Sequence, residues 1–423
     1  MAQKIDYEEY DLPNGLHVIL HEDHTAPVVS VGVMYHVGAK NEEPNRTGFA
    51  HFFEHLLFEG TKNIKRGEWF KIVSSHGGQN NANTTDDRTY YYEVFPSNNL
   101  ALGLWMESER MRHAVINKIG VDTQNEVVKE EKRLRVDNQP YGHFMEAIKK
   151  NVFTKHPYRH TTIGKMADLD AASLDEFIAF YHKFYVPNNA TLVVAGDINK
   201  KQTKELINKY FATIPKGDDI VRKKIIEDPI PNEKQAVYYD KNIQKPALMQ
   251  AYLTPSMKDR DAYVLDLIST YLSGGKSSVL HKRLVDDEKK ALMTGAFNVS
   301  QEDYGTYVIF AIPMGGEDQL DVLNKEIDEE INKIQTDLIS EKDFQKLLNN
   351  KENEFVNSNT NMQGIANNLA RYHVLFGDTD LINKELDIYK SITREEIRNV
   401  ARKYLDKNHR VILKYLAKKE ANN

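Results

Sequence analysis

The chain of 423 residues contains no cysteine. That excludes disulfides, thiolate metal sites and a cysteine nucleophile. It also lacks any long apolar run. A bilayer-spanning helix needs about 20 apolar residues, whereas stretches such as VVSVGVMY at 28–35 are only of strand length, so no membrane insertion is expected. Nor is there an excess of positive charge. Lys and Arg number 56 against 62 Asp and Glu, a net charge of −6, which argues against nucleic acid or an anionic membrane as partner. The first residues, MAQKIDYEEYDL, carry no apolar segment of the signal-peptide kind. The expectation is a soluble chain, cytoplasmic as given, or periplasmic or organellar if a leader has been removed. The rest is the composition of an ordinary globular protein, 40% hydrophobic and 28% charged. The length allows two or three domains with ample core.

Against this plain background one stretch stands out: His51-Phe52-Phe53-Glu54-His55, within NRTGFAHFFEHLLFEGTKN. On a helix turning about 100° per residue, with His51 at zero, Glu54 falls at about −60° and His55 at about +40°. Phe49, Phe52, Phe53, Leu56 and Leu57 occupy the opposite arc, at about 100° to 240°. Thr47 and Gly48 suit a helix start and Gly60 a stop. Imidazoles four residues apart with a carboxylate between them suit a metal with its bound water. Zinc takes three protein ligands in catalytic sites and acidifies its water, and a nearby carboxylate can accept the proton. His-x-x-Glu-His is the inverted form of the His-Glu-x-x-His zinc motif. Taken alone, the five residues also fit two surface or core histidines that happen to lie four apart.

A third ligand is suggested on the predicted helix 121–136, VDTQNEVVKEEKRLRV. With Glu131 at zero, Val127, Val128 and Leu134 lie within about 60° of it and Gln124 at about 20°. Glu131 is then a carboxylate inside an apolar stripe, costly unless paired or bound to a metal. Glu130, about 100° off the stripe, is the alternative, and Glu126 points away.

The remaining pattern reads as α+β. Residues 15–22 and 27–36 read as paired strands, and 79–96 as a strand pair turning at Asp86-Asp87. Helices are expected over 66–76, 97–116 and 172–186, the last with Ser173 as N-cap. Strand 187–197 follows. The second half begins and ends in a similar way: AVYYDK, ALMQAYLTPS, helix DAYVLDLISTYLSGG, and near the end a capped helix 392–405 and strand RVILKYL. This points to an internal duplication of α/β-sandwich domains, antiparallel-rich sheets with helices packed on them, facing each other across a cleft. The expected divisions are a metal-bearing domain 1–215, a charged linker 216–234 and a metal-free domain 235–423. Segments 317–352 and 361–391 read as long solvated helices.

With these residues in view the chain resembles the inverted-zincin peptidases of the pitrilysin, insulinase and mitochondrial processing peptidase family. The resemblance rests on HFFEHLLFEGT, GGQNNANTTDDRTYYY, QNEVVKEEKRLRVDNQPYG, YHKFYVPNNATLVVAGDI and LSGGKSSVLHKRL, and on the 75 residues separating His55 from Glu131. It implies one Zn²⁺ per chain, held by His51, His55 and Glu131 rather than Glu130, with Glu54 as catalytic general base. It implies a peptide substrate lying in a chamber between the halves and added as a strand along Asn81, Ala82, Asn83 and Thr84. Two departures stand out. The family often has a glutamate where this chain has Gln124, a change that should tune the site. The family's arginine and tyrosine that hold the substrate carbonyl fall at Arg283 and Lys290, so the tyrosine is missing. A homodimer or heterodimer with a homologous, metal-free subunit supplying the pair is therefore expected. The rival readings are a non-catalytic assembly subunit and a peptide-binding chaperone of the same fold.

Overall fold

A computed structural model describes residues 4–418. Six strands form the first sheet: β1 (Glu8–Asp11), β2 (His17–Glu22), β3 (Val28–Tyr35), β4 (Gln79–Thr84), β5 (Thr89–Pro96) and β6 (Ala190–Gly196), in the order β1-β2-β6-β3-β5-β4. Five form the second: β7 (Lys234–Asp240), β8 (Ala247–Thr254), β9 (Ala291–Ser300), β10 (Gly305–Pro313) and β11 (Val411–Ala417), in the order β7-β11-β8-β10-β9. Without β1, the first sheet's order is that of the second. The strand directions repeat too. The pairs β2–β6 and β7–β11 are parallel, and the other corresponding pairs are antiparallel. The helix Phe49–Leu56 lies in sequence between β3 and β4, and the helix Arg260–Ser273 lies between β8 and β9. The second of these contains no histidine.

The strands β2 and β3, read as a pair over 15–22 and 27–36, are not paired with each other. Between β2 and β3 lies β6, parallel to β2 and antiparallel to β3. Every residue of β6 is buried. A continuous apolar run of this kind belongs at the centre of a sheet covered on both faces, which a hairpin reading of neighbouring strands cannot foresee.

Alternate residues of the first sheet feed two cores. Val18, Leu20, Val31, Val33, Tyr91, Leu192 and Val194 pack with the helices Phe49–Leu56, Leu100–His113 and Leu174–Phe184. Ile19, Met34, Tyr90, Val193 and Ala195 pack with Ile365, Ala366, Leu369 and Ala370. The helix Met362–Arg371 is therefore a core element, not a solvated one. Likewise Leu320, Leu323, Ile327, Ile331 and Ile334 are buried along the helix Leu320–Thr336. Their helical spacing gives that helix an apolar face beneath its charges. On the second sheet, Met249, Val308, Leu413 and Tyr415 pack with Ala147, Ile148 and Val152.

Each sheet thus borrows a cover from the other half of the sequence. By compactness one unit holds residues up to 130, 161–224 and 354–385, and the other holds 131–160, 225–353 and 386 onward. Residues 216–233 carry neither helix nor strand. Among the described residues no helix is long and apolar enough to cross a membrane.

Candidate metal centre

The HFFEH stretch lies on the helix Phe49–Leu56. Its apolar arc is buried as Phe49, Phe52, Phe53 and Leu56. Phe49 stacks on Phe177 at 4.6 Å between ring centroids, and Phe53 stacks on Phe180 at 5.5 Å. Both ends of the helix are held. Gly48 is the N-cap, with φ of 95°, and a Cβ there would lie 2.8 Å from the Ile163 carbonyl oxygen, so glycine is required. The buried Glu42 carboxylate accepts the Gly48 and Ala50 N–H groups at 2.8 and 2.9 Å. That satisfies donors the helix cannot and places negative charge at the positive end of the dipole. At the other end Tyr91 donates to the Phe53 carbonyl at 2.8 Å and Arg110 to the Leu57 carbonyl at 3.0 Å.

Arg110 is fully buried and pairs with Glu93 and Glu107, each at 3.1 Å. Its guanidinium carbon lies 4.0 Å from the Trp69 ring and 4.4 Å from those of Phe58 and Tyr91. Neither Glu42 nor this triad is singled out by sequence reasoning. The visible signal was Glu107 and Arg110, three residues apart in LGLWMESERM, on a helix whose neighbouring positions Leu104, Met106 and Met111 are buried.

With the helix fixed, the His51 and His55 rings stand 4.9 Å apart at 78°, and His51 is only 9% exposed. Glu131 lies in the last turn of the continuous helix Lys118–Lys132, where the division by compactness also falls. One ligand atom each from His51, His55 and Glu131 lie within 4.8 Å of one another. Two imidazoles and a carboxylate are donors that zinc accepts, so the residues present fit that ion. Arg135 pairs with Glu131 at 2.8 Å from a largely exposed position. Glu130 is exposed.

The apolar stripe invoked for Glu131 is mostly not buried. Val128 is buried, but Val127 is 43% and Leu134 56% exposed. Leu134 lies in a wide turn, Arg133–Asp137, closed by Asn138 N–H to the Arg133 carbonyl. The extra residue per turn rotates Leu134 off the helical register. Glu131 is thus grouped with the histidines by tertiary packing, not by an apolar face.

Glu54 is half-buried between the two histidines in sequence. Gln124 donates to Glu59 Oε1, just beyond the His helix, and Arg66 pairs with the same carboxylate. Gln124 therefore ties the helix carrying Glu131 to the end of the helix carrying His51 and His55. Asn81, Ala82, Asn83 and Thr84 lie on β4, last in the sheet order and paired only with β5 among the described residues. This strand packs beside the His helix. Its edge is not wholly open, since Arg88 donates to the Asn83 carbonyl at 3.0 Å. Arg283, in the second unit, is committed to Glu288, Glu329 and Glu330 at 2.8, 2.6 and 2.7 Å. Lys290 pairs with Glu288 and Glu326.

Known proteins share this fold. Residues 17–165 match the family described as Insulinase (Peptidase family M16), and residues 171–351 match Peptidase M16 inactive domain. The zinc protease PqqE of Helicobacter pylori is 31% identical over 394 residues, which cover 90% of this chain and 87% of that protein. The crystal structure of a protease from Helicobacter pylori superposes with a TM-score of 0.92 at 28% identity, covering 98% of this chain and all of that one. A peptidase M16 inactive domain from Pseudomonas fluorescens has the same fold, with a TM-score of 0.87 at 15% identity over 99% of both chains. Agreement at this identity across nearly the whole length makes the chain a member of the insulinase family of peptidases, M16.

Proposed function

We propose that the protein is a zinc-dependent endopeptidase acting on peptides or unfolded segments. The observation that carries this reading is the grouping of His51, His55 and Glu131 within 4.8 Å on two braced helices. A zinc ion held by these three residues supplies Lewis-acid polarisation of the scissile carbonyl and lowers the pKa of a water. Glu54 takes the proton from the attacking water and passes it to the leaving amine. The β4 edge at Asn81–Thr84 receives the peptide backbone as an added strand, with affinity from main-chain hydrogen bonds. The zinc protease named among its relatives supports the same chemistry.

His51→Ala or Glu131→Gln lowers bound zinc by one equivalent per chain and abolishes peptide cleavage, as read by metal analysis and a peptide-library digest. A His51→Ala chain that cleaves like the parent overturns the reading.

The ion pairs that occupy Arg283 and Lys290 favour a working unit in which a homologous metal-free subunit supplies the carbonyl-binding groups. Adding that subunit then raises the cleavage rate. A rate unchanged at saturating partner sinks this part.

A further inference from the structure

The first unit carries a second convergence of metal-binding side chains, remote in sequence from HFFEH. Glu9 and Asp11 on β1 and His17 on β2 share one face, because Asp11 pairs opposite His17 and Glu9 opposite Ile19. That face is the one on which the helix Met362–Arg371 packs through Ile19. The wide turn Tyr372–Phe376 that continues this helix brings in His373. The His17 and His373 rings stack at 3.5 Å between centroids, 5° from parallel. One ligand atom each from Glu9, His17 and His373 lie within 4.8 Å of one another.

Hydrogen bonds hold each of these groups in place. Asp11 Oδ1 lies 2.8 Å from His17 Nδ1, and an aspartate can only accept there. Nδ1 therefore donates to Asp11, and Nε2 is turned towards Glu9. Nε2 lies 3.4 Å from Glu9 Oε2, a contact that either a proton on Nε2 or a cation between the two satisfies. Thr379 donates its hydroxyl proton to Glu9 Oε2 at 2.6 Å. Its oxygen can then only accept from His373 Nδ1, 3.3 Å away. His373 thus carries a proton on Nδ1, and Nε2 is the nitrogen through which it would ligate. A carboxylate or hydroxyl behind each imidazole is the usual outer support of a metal ligand. Asp11, His17 and His373 also line a cleft of about 430 Å³ together with Asn188 and Arg222, which gives an ion a path in.

We propose that Glu9, His17 and His373 form a second divalent transition-metal site, with Asp11 and Thr379 orienting the two imidazoles. Two imidazoles and one carboxylate with an open side suit Zn²⁺ and its neighbours in the first row, not Ca²⁺ or Mg²⁺. The site clips the first strand to a segment more than 350 residues later, so its role is to stabilise the first unit. A metal that binds only the folded state raises stability by mass action.

The test uses the full chain bearing His51→Ala, which removes the HFFEH site, and Zn²⁺ as the probe. Equilibrium dialysis with metal analysis should find one Zn²⁺ per chain, and added Zn²⁺ should raise the thermal midpoint. His51→Ala/His17→Gln/His373→Gln should bind none and show no Zn²⁺-dependent shift. His51→Ala/Asp11→Asn keeps all three ligands and should bind about 10- to 100-fold more weakly, as loss of an outer support does. This variant keeps the test decisive if the triple variant fails to fold. A folded His51→Ala chain that takes up no Zn²⁺, or Zn²⁺ binding unchanged by Asp11→Asn, overturns the proposal. Neither result bears on the HFFEH site, whose ligands are separate.

Discussion

Glu54→Gln should hold as much zinc as the parent protein and lose peptide cleavage by about 10²- to 10⁴-fold, the range for removal of a positioned general base. The two readouts separate because the substitution is nearly isosteric and Glu54 is not among the three grouped donors. It lies one residue before His55, on a helix held by Glu42 at one end and by Tyr91 and Arg110 at the other. A neutral amide there leaves the helix and the histidines in place. It cannot take a proton from water, so the loss should fall on kcat rather than KM. Metal analysis and steady-state kinetics on one preparation are sufficient. Parent-like cleavage by Glu54→Gln removes the proposed mechanism, and loss of zinc by the same variant shows that Glu54 supports the metal site instead.

Arg110→Ala should be the most destabilising single change in the first unit, by about 3–5 kcal/mol, the cost of breaking a buried ion pair by removing one partner. The guanidinium is fully buried between Glu93 and Glu107 and lies against three aromatic rings. Its removal leaves the Glu107 carboxylate and the Glu93 carboxyl buried without their partner, an unbonded Leu57 carbonyl and a void. A domain is typically stable by only about 5–15 kcal/mol. The variant should therefore show a much lower urea midpoint at unchanged slope and weaker zinc retention, because the end of the His helix loses its partner. A midpoint within about 1 kcal/mol of the parent shows that the triad does not hold this helix.

Glu93→Gln should behave in the opposite way. Burial first, and then the charge of Glu107, holds the Glu93 carboxyl well above its ordinary value of 4.5, against the pull of Arg110. The folded chain keeps a proton there that the unfolded chain releases. This contribution to stability is complete below 4.5 and declines as pH rises towards the folded-state value. The amide mimics the protonated acid and has nothing to release. The stability of Glu93→Gln relative to the parent should therefore rise with pH, as measured by urea midpoints from acidic to alkaline buffer. A difference that does not change with pH means that Glu93 is ionised in the fold.

Much of the local structure was legible in the sequence. Ser173 caps the helix Leu174–Phe184 and Thr393 the helix Arg394–Tyr404, each through a reciprocal bond with a glutamate three residues on. The strands β4 and β5 pair around Asp86-Asp87 as read. These features depend on neighbours in the chain, where spacing fixes geometry. Three others were read wrongly for one shared reason. The insertion of β6 between β2 and β3, the burial of the helix Met362–Arg371 and the exposure of Val127 and Leu134 each depend on which distant element covers a given face.

The HFFEH stretch divides along the same line. Its sequence alone determined that two imidazoles and a carboxylate share one arc of a helix and that phenylalanines fill the other, because 3.6 residues per turn leave no choice once the helix forms. Only the tertiary structure decided that Glu131, with 75 residues between it and His55, joins the histidines, that Gln124 braces the two helices through Glu59, and that a buried arginine holds the end of the first. Convergence over such distances is set by the packing of two helices and a sheet. No periodicity within either helix encodes it.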